Sequence, residues 1–205
     1  MTTFYRRHGK RLLDLALTIP ALILLAPVMG MVALAVRLTM GRPILFRQVR
    51  PGLHAVPFTM YKFRTMTDSR DADGHLLPEA QRITRLGRFL RRTSLDELPE
   101  LWNVLRGEMS LVGPRPLLVK YLDRYTPNQA RRHEARPGIT GLAQISGRQA
   151  MPFSRRLEFD VSWVDSYDLW IDLRILLLTI PKTLSARGVV LGQEVGEVDD
   201  LGLSG

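Results

Sequence analysis

The stretch LALTIPALILLAPVMGMVALAV, residues 15–36, contains no charged residue and decides which kind of fold the chain adopts. A helix over these 22 residues would be about 33 Å long at ~1.5 Å per residue, long enough to cross the apolar core of a bilayer. A secretory signal is a poorer interpretation, because the run is long and no small-residue cleavage site follows it cleanly. The sequence therefore predicts a membrane segment in its first 40 residues.

Two features in and around this run argue against a straight transmembrane helix. Pro20 and Pro27 each lack a backbone donor, so the helix is expected to bend. Basic residues also flank the run on both sides, and a span would place one of these groups on the wrong side of the membrane. The flanking residues are Arg6, Arg7, Lys10 and Arg11 before the run and Arg37, Arg42, Arg47 and Arg50 after it. We predict a re-entrant helix–break–helix over residues 1–40, with both ends on the cytoplasmic face.

The rest of the sequence is typical of a small α+β domain that is mostly helical. ILFRQV at 44–49 and PFTMYKF at 57–63 predict a β-hairpin, since turn-forming residues separate two strand-like segments. We assign residues 41–191 to a cytosolic domain and the Gly-rich, acidic residues 192–205 to a flexible tail.

Two further segments predict amphipathic helices. In QRITRLGRFLRR, residues 81–92, apolar residues keep helical spacing while the arginines have no compensating acid. This helix lies either in water on the protein surface or on anionic lipid headgroups. YDLWIDLRILLLTIPKTLSAR, residues 167–187, is too short and too polar for a second span, and suits an interfacial helix or a buried core helix.

The composition narrows the range of chemistries. The 205 residues carry a net charge of +9, from 29 Lys+Arg and 20 Asp+Glu, which suits nucleic acid, anionic lipid or a phosphorylated substrate. Cysteine is absent, which excludes thiol nucleophiles and zinc–thiolate sites, and the four histidines have no i, i+4 spacing. The few aromatic residues are not interleaved with the basic runs, which argues against nucleic-acid binding.

The segment RRTSLDELPELWNVL, residues 91–105, places two adjacent acids directly before a proline-led apolar pattern. Ser94 to Glu97 matches the capping-box pattern, which is the purely structural interpretation. Pro99 opposes it, because proline is favoured in the first turn of a helix and the apolar spacing predicts a helix that starts near residue 99. Asp96 and Glu97 then lie in the turn before a helix N-terminus, where negative charge is stabilised.

This position also gives the two acids a chemical interpretation. Beside Arg91 and Arg92 a carboxylate stays ionised at neutral pH, and an ionised Asp96 can attack phosphorus to form an acyl phosphate. The adjacent Glu97 can hold a divalent cation, and ligands that are all oxygen favour magnesium or manganese.

Two downstream segments add candidate ligand contacts. LVGPRPLL at 111–118 presents Arg115 between two prolines, and a guanidinium on a stiffened backbone suits bidentate phosphate recognition. RPGITGLAQISGR at 136–148 places glycines around a short strand and ends in Arg148. The glycines permit close approach of the backbone to a ligand, although this pattern alone is not specific.

Together these residues resemble the bacterial sugar transferase family, in particular its small monotopic phosphoglycosyl transferases. The resemblance rests on KRLLDLAL at 10–17, YKFRTM at 61–66, TSLDELPELWNVLRGEMSLVGPRPLL at 93–118, RPGITGLAQISGR at 136–148 and DLRILLLTI at 172–180. One departure is Ala26 before the hairpin proline, where family members often carry serine. A side chain that could satisfy freed backbone carbonyls is missing there, so the sequence does not define the angle of the bend.

The resemblance implies transfer of a sugar 1-phosphate from a UDP-sugar to undecaprenyl phosphate, with release of UMP and a covalent aspartyl intermediate. It implies that Asp96 is the nucleophile and that Glu97 binds Mg²⁺, with Mn²⁺ as an alternative. The residues expected to bind substrate are Lys62, Arg91, Arg115 and Arg148. It also implies that residues 41–191 form a catalytic domain with interfacial helices on the cytoplasmic face of the bacterial inner membrane, and a homodimer is compatible with such helices.

Two other functions are compatible with the residues. A metal-dependent nucleotide-sugar phosphodiesterase would use the same two acids but no lipid. A membrane-tethered basic domain that binds an acidic polymer would account for the positive charge but leave the acid pair unexplained. No motif specifies the sugar.

Overall fold

The computed structural model describes residues 4–147 and 151–184, and this part of the chain is mostly helical with four short strands. The helices are α1 (Lys10–Met40, after a π-helical turn at Tyr5–Gly9), α2 (Glu79–Arg82), α3 (Arg85–Thr93), α4 (Glu100–Arg106), α5 (Pro127–Ala130), α6 (Leu142–Ser146), α7 (Phe153–Ser166) and α8 (Leu169–Leu184). The strands are β1 (Leu45–Pro51), β2 (Pro57–Phe63), β3 (Ser110–Val112) and β4 (Gly138–Thr140). The predicted tail at 192–205 and the predicted site residue Arg148 lie outside the described residues.

The uncharged run lies within α1, and the helix that begins at Tyr5 is long and apolar enough to cross a membrane. Pro20 and Pro27 both lie inside helical backbone. The side chains between them include strongly exposed apolar ones, with Ile23 70% and Leu24 75% exposed. These observations support membrane association, whereas the re-entrant course of the helix stays a prediction.

Both ends of α1 contact the domain that follows it. Near the first end, Asp14 accepts hydrogen bonds from Ser110 Oγ at 2.9 Å and from the Leu111 amide at 3.0 Å. Near the second end, Val32 and Val36 are buried in a cluster with residues of β2 and α3. The exposed apolar part of α1 therefore lies between two anchored ends.

The predicted hairpin is confirmed. β1 and β2 pair antiparallel from Leu45 opposite Phe63 to Pro51 opposite Pro57. One end of the hairpin packs against α1 through Leu45 and Phe63, and the other end carries the turn at Leu53–Ala55. The hairpin therefore reaches from the apolar helix out to the far side of the domain.

β3 and β4 form a separate parallel pair. Their pairing explains why position 138 is a glycine. A Cβ at Gly138 would lie 2.1 Å from the amide nitrogen of Gly113. The close approach is therefore to another backbone segment, and this glycine serves strand packing rather than the ligand contact considered from the sequence.

The basic amphipathic segment is helical but interrupted. Ile83 is extended and lies opposite Met66 in an isolated bridge, so the predicted helix over 81–92 divides into α2 and α3. α3 begins after Thr84, whose Oγ1 accepts a hydrogen bond from the Gly87 amide at 2.8 Å. The competing β-bridge and this N-cap account for the break.

The last described helix, α8, has two apolar faces. Ile175 is 2% exposed and joins a core with Trp163 and Val112, as expected for a core helix. Trp170 and Leu177 are 76% and 68% exposed, as an interfacial helix would require. Each of the two sequence interpretations thus describes one face of α8.

Candidate active site

The chain makes a tight turn between α3 and α4. Ser94 ends α3 in the left-handed region at φ 56°, and α4 begins at Glu100 directly after Pro99. The helix start predicted near residue 99 is confirmed. The capping box does not form, because the Ser94 side chain makes no cap hydrogen bond and Glu97 pairs with cations elsewhere.

Glu97 is held by two cations from distant parts of the chain. Its Oε1 accepts hydrogen bonds from Lys62 Nζ on β2, at 2.7 Å, and from Arg115 Nη2 in the loop after β3. Burial alone would raise the pKa of Glu97, but the charges of Arg115 and Lys62 and their hydrogen bonds hold it well below its ordinary range. Three predicted site residues therefore meet at one point.

Asp96 lies beside this group and is only 8% exposed. Burial and the charge of Glu97 raise the pKa of Asp96 to about 6, while the charges of Lys62, Arg91 and Arg115 act in the opposite direction. Above pH 7 its carboxylate is ionised, poorly hydrated and close to cations. An ionised carboxylate in such surroundings is suited to attack an electrophilic phosphorus.

A third acid, Glu100, joins the site and is not predicted by the sequence analysis. It is 1% exposed, and its Oε1 forms an ion pair with Lys62 Nζ at 3.0 Å. Burial raises the pKa of Glu100 to about 7 against the charge of Lys62, and the charge of Glu97 adds to the rise. Its position three residues after Glu97, in the first turn of a helix, is the signal that could have identified it.

Of the two other predicted basic site residues, the structure describes Arg91 but not Arg148. Arg91 is close enough to Asp96 to counteract the rise in the pKa of that carboxyl, but its guanidinium donates to Thr65 Oγ1 at 3.1 Å and to Glu79. Arg148 is not among the described residues, so its role stays a prediction. The structure therefore assembles Lys62, Arg115 and Arg91 around the acids.

The loop that carries Arg115 is fixed from behind by a buried ion pair. Arg132, 2% exposed, donates from Nη2 to the Arg115 carbonyl and to Asp160, both at 2.6 Å. Pro114 and Pro116 limit the backbone on either side of Arg115. The guanidinium that reaches Glu97 is thereby held in place before any ligand binds.

The chemistry of the donors fits a hard divalent cation. Within residues 4–147 and 151–184, no three carboxylate or imidazole ligands converge at Glu97. Mg²⁺ commonly takes only one or two protein carboxylates and completes its shell with substrate phosphates and water, and an ionised Glu97 meets that requirement. The site can thus combine a nucleophilic carboxylate with several groups that neutralise phosphate charge.

Comparison with known proteins gives a consistent result. The sequence model of the family described as bacterial sugar transferase matches residues 5–186. A similar protein is the uncharacterized sugar transferase EpsL of Bacillus subtilis, which is 53% identical over 180 residues that cover 88% of this chain and 89% of the relative. These matches include every residue of the candidate site.

Relatives with a stated activity are also similar. A UDP-glucose:undecaprenyl-phosphate glucose-1-phosphate transferase of Caulobacter vibrioides is 44% identical over 188 residues, which cover 86% of this chain and 70% of the relative. A protein of the same description from Escherichia coli is 39% identical over 183 residues, covering 84% of this chain. This chain spans only 39% of the E. coli protein, so the likeness to that relative concerns one part of a larger protein.

Proposed function

This chain belongs to the bacterial sugar transferase family, and from that membership we propose that it transfers a sugar 1-phosphate from a UDP-sugar to undecaprenyl phosphate and releases UMP. The observation that carries the proposal is the group formed by buried Asp96 beside Glu97, which pairs with Lys62 and Arg115. The relatives named as UDP-glucose transferases make UDP-glucose the first donor to test.

In the first displacement, a carboxylate oxygen of Asp96 attacks the β-phosphorus of the UDP-sugar. The bond from that phosphorus to the bridging oxygen breaks, the electron pair leaves with UMP, and the sugar phosphate stays on Asp96 as an acyl phosphate. Lys62 and Arg115, which pair with Glu97 beside Asp96, would offset the negative charge on the diphosphate and on the departing UMP. No proton has to be removed from Asp96 above its pKa of about 6.

In the second displacement, an oxygen of undecaprenyl phosphate attacks the same phosphorus. The phosphorus–oxygen bond to Asp96 breaks, which regenerates the carboxylate and gives the lipid diphosphate sugar. The covalent intermediate lets a water-soluble donor and a lipid acceptor use one carboxylate in turn. A hydrolase would need only water in this step, so dependence on the lipid separates the two enzyme functions.

Glu97 is the proposed protein ligand of Mg²⁺ or Mn²⁺, together with oxygens of the substrate. A bound divalent cation would neutralise charge on the diphosphate and on the leaving group. Lys62 and Arg115, which pair with Glu97, keep the carboxylate ionised and oriented. Glu97→Gln should remove most of the stimulation of UMP release by added Mg²⁺, and an unchanged Mg²⁺ response would remove Glu97 from the proposed metal site.

The proposed setting is the cytoplasmic face of the bacterial inner membrane, with α1 entering and leaving by the same face. The anchoring of both ends of α1 on one domain, with exposed Ile23 and Leu24 between them, supports this arrangement. Because the chain has no cysteine, Arg7→Cys and Arg42→Cys each introduce a single label site. Both should react with a membrane-impermeant maleimide only from the cytoplasmic side; reaction from opposite sides would indicate a span.

The deciding experiment follows UMP and lipid-linked sugar from a panel of UDP-sugars, with and without undecaprenyl phosphate. We expect multiple turnovers only when the lipid is present. Repeated turnover without lipid would favour the nucleotide-sugar phosphodiesterase. Absence of turnover with every donor would contradict the proposed function.

A further inference from the structure

Arg50 is a partly buried cation whose hydrogen-bonding groups are largely unused. It lies on β1 opposite Phe58, and it shares one face of the strand with Gln48, two residues away. Among the described residues, its guanidinium hydrogen-bonds to Gln48 Oε1, with 2.6 Å from Nη2. The Nε atom is buried and has no hydrogen-bond partner in the described part of the chain. A guanidinium in this condition can still bind an anion through several N–H groups.

Within the described part of the chain, no carboxylate forms an ion pair with Arg50. Burial lowers the pKa of Arg50 to about 10, the nearby guanidinium of Arg115 adds to this effect, and Glu100 opposes it. Glu100 and Glu97 are themselves paired with Lys62, and Glu97 also with Arg115. The two guanidinium groups are those of Arg115 and Arg50, and among the described residues Arg50 has no carboxylate partner. An anionic ligand would stabilise such an arrangement.

A cavity of about 450 Å³ lies at the hairpin turn that follows Arg50, because His54 and Ala55 of that turn line it. It is lined by residues that include Tyr125, His133 and the hairpin-turn residue His54. The ring centroid of Tyr125 is 5.8 Å from that of His133, and His133 also lines a crevice together with Arg115 and Pro51, the neighbour of Arg50. His133 Nε2 is buried without a hydrogen-bond partner among the described residues. The volume and the mixture of aromatic and polar groups suit a small organic ligand.

We propose that Arg50 binds the phosphate of the uridine nucleotide and that the nucleoside occupies the adjacent cavity. This inference rests on the proposed function. In this arrangement the nucleoside lies at Tyr125 and His133 and its phosphate at Arg50. The β-phosphate lies at Arg115, which pairs with Glu97 beside Asp96.

The position of Arg50 on the hairpin favours the nucleotide over the lipid phosphate. The hairpin end at Leu45 and Phe63 packs against the apolar helix α1, whereas Arg50 lies near the opposite end, next to Pro51 and the turn. From residue 45 to residue 50 the strand rises about 17 Å at ~3.3 Å per residue. A ligand that arrives from water therefore reaches Arg50 from the side of the domain distant from α1, and a lipid-borne phosphate arrives from the side of α1.

The test measures UMP binding to the purified, detergent-solubilised chain by calorimetry, together with steady-state turnover of UDP-glucose. Arg50→Gln should weaken UMP binding by about 10- to 100-fold, as expected for loss of charge-assisted hydrogen bonds. The KM for UDP-glucose should rise by a similar factor while the KM for undecaprenyl phosphate stays within about twofold. The matched control is Arg47→Gln, which removes the same charge from an exposed position three residues earlier on the same strand and should leave UMP binding unchanged.

The outcomes separate this inference from the proposed function. If the unmodified chain turns over UDP-sugar but Arg50→Gln keeps its UMP affinity, Arg50 is not a nucleotide ligand. A rise in the KM for the lipid alone would assign Arg50 to the acceptor phosphate and overturn the proposal. If Arg50→Gln does not fold, Arg50→Lys keeps the charge without the planar fork and should weaken UMP binding by about threefold to tenfold; unchanged binding would again overturn it.

Discussion

Two buried acidic clusters in this molecule differ in how well their charges are balanced. Asp172, which is fully buried, accepts hydrogen bonds from Tyr5 Oη at 2.6 Å, Lys10 Nζ at 2.7 Å and Trp163 Nε1 at 3.0 Å. One carboxylate therefore meets one cation and two neutral donors. This cluster joins the first turns of the chain to α7 and α8 and leaves no acceptor of Asp172 without a donor.

The cluster at Asp96, Glu97 and Glu100 has no such balance. Three acids share the two cations Lys62 and Arg115, and the pKa values of Asp96 and Glu100 are raised mainly by burial. Folding alone does not favour such an arrangement, because buried charges that are incompletely compensated destabilise the native state. This difference is expected if the first cluster serves stability and the second serves the proposed chemistry.

The sharpest test of the comparison is to remove one carboxylate from each cluster. Asp96→Asn keeps the shape of the side chain but cannot attack phosphorus, so UMP release should fall by about 10⁴-fold or more. Labelling of the protein by radioactive sugar phosphate should disappear, while the thermal midpoint should stay unchanged or rise. Asp68→Asn, at an exposed acid, is the matched control and should keep full activity. Persistent labelling of Asp96→Asn would mean that another residue is the nucleophile.

Asp172→Ala should have the opposite profile. It leaves buried Lys10 without its partner, and breaking a buried pair in this way destabilises by about 3–5 kcal/mol. The midpoint of thermal unfolding in detergent should fall by about 10 °C, whereas the KM for the donor should stay close to that of the unmodified chain at low temperature. The double variant Lys10→Met/Asp172→Asn removes the unpaired charge and should recover much of the loss. If Asp172→Ala lost activity without losing stability, its cluster would not be structural.

The sequence predicts the site acids and the local structure around them because the signals are local. Pro99 marks the start of α4, the turn between two apolar strands predicts the hairpin, and the charge-free run identifies α1. The flanking prolines single out Arg115, and the resemblance to a family supplies Lys62 as a further candidate. Each of these needs only a window of a few residues or a motif.

The sequence does not predict the pairing between distant segments. Asp172 meets Tyr5 and Lys10 across separations of more than 160 residues, and no local pattern reports such a contact. Glu100 is missed for a related reason: its proximity to Lys62 depends on how β2 packs against α4. The break at Ile83 is missed because a β-bridge to Met66 overrides helical spacing.

The Glu100→Gln variant tests whether the buried charge of Glu100, in the second cluster, destabilises the folded state. The pKa of Glu100 is raised to about 7 by burial, whereas in the unfolded chain an ordinary Glu titrates at about 4.3. Between these two pKa values, Glu100 is protonated in the folded state but ionised in the unfolded state. The free energy of unfolding therefore decreases as the pH rises from the lower to the higher pKa, and it stays reduced above the higher one. Glu100→Gln should therefore be more stable than the unmodified chain at pH 8, on the order of 2 kcal/mol, and close to it at pH 5.

Thermal unfolding at the two pH values measures this difference. Glu158→Gln, which removes an exposed acid from a surface ion pair, should show no pH-dependent gain. A Glu100→Gln variant that is less stable at pH 8 than at pH 5, relative to the unmodified chain, would show that Glu100 supports the fold as Asp172 does.

The smallest expected effect is the pH dependence of the first displacement, and it shows which acid of the second cluster reacts. Burial, followed by the charge of Glu97, raises the pKa of Asp96 to about 6, and only the ionised carboxylate attacks. Without acceptor lipid, the rate of the initial burst of UMP release should fall by about tenfold for each pH unit below that pKa. Leaving out the lipid is essential, since a phosphate monoester also titrates near pH 6. If this decrease at low pH is due to protonation of Asp96, the Glu100→Gln variant should show it as well. If the decrease is absent in Glu100→Gln, the titrating group is Glu100 and Asp96 is not the reacting acid.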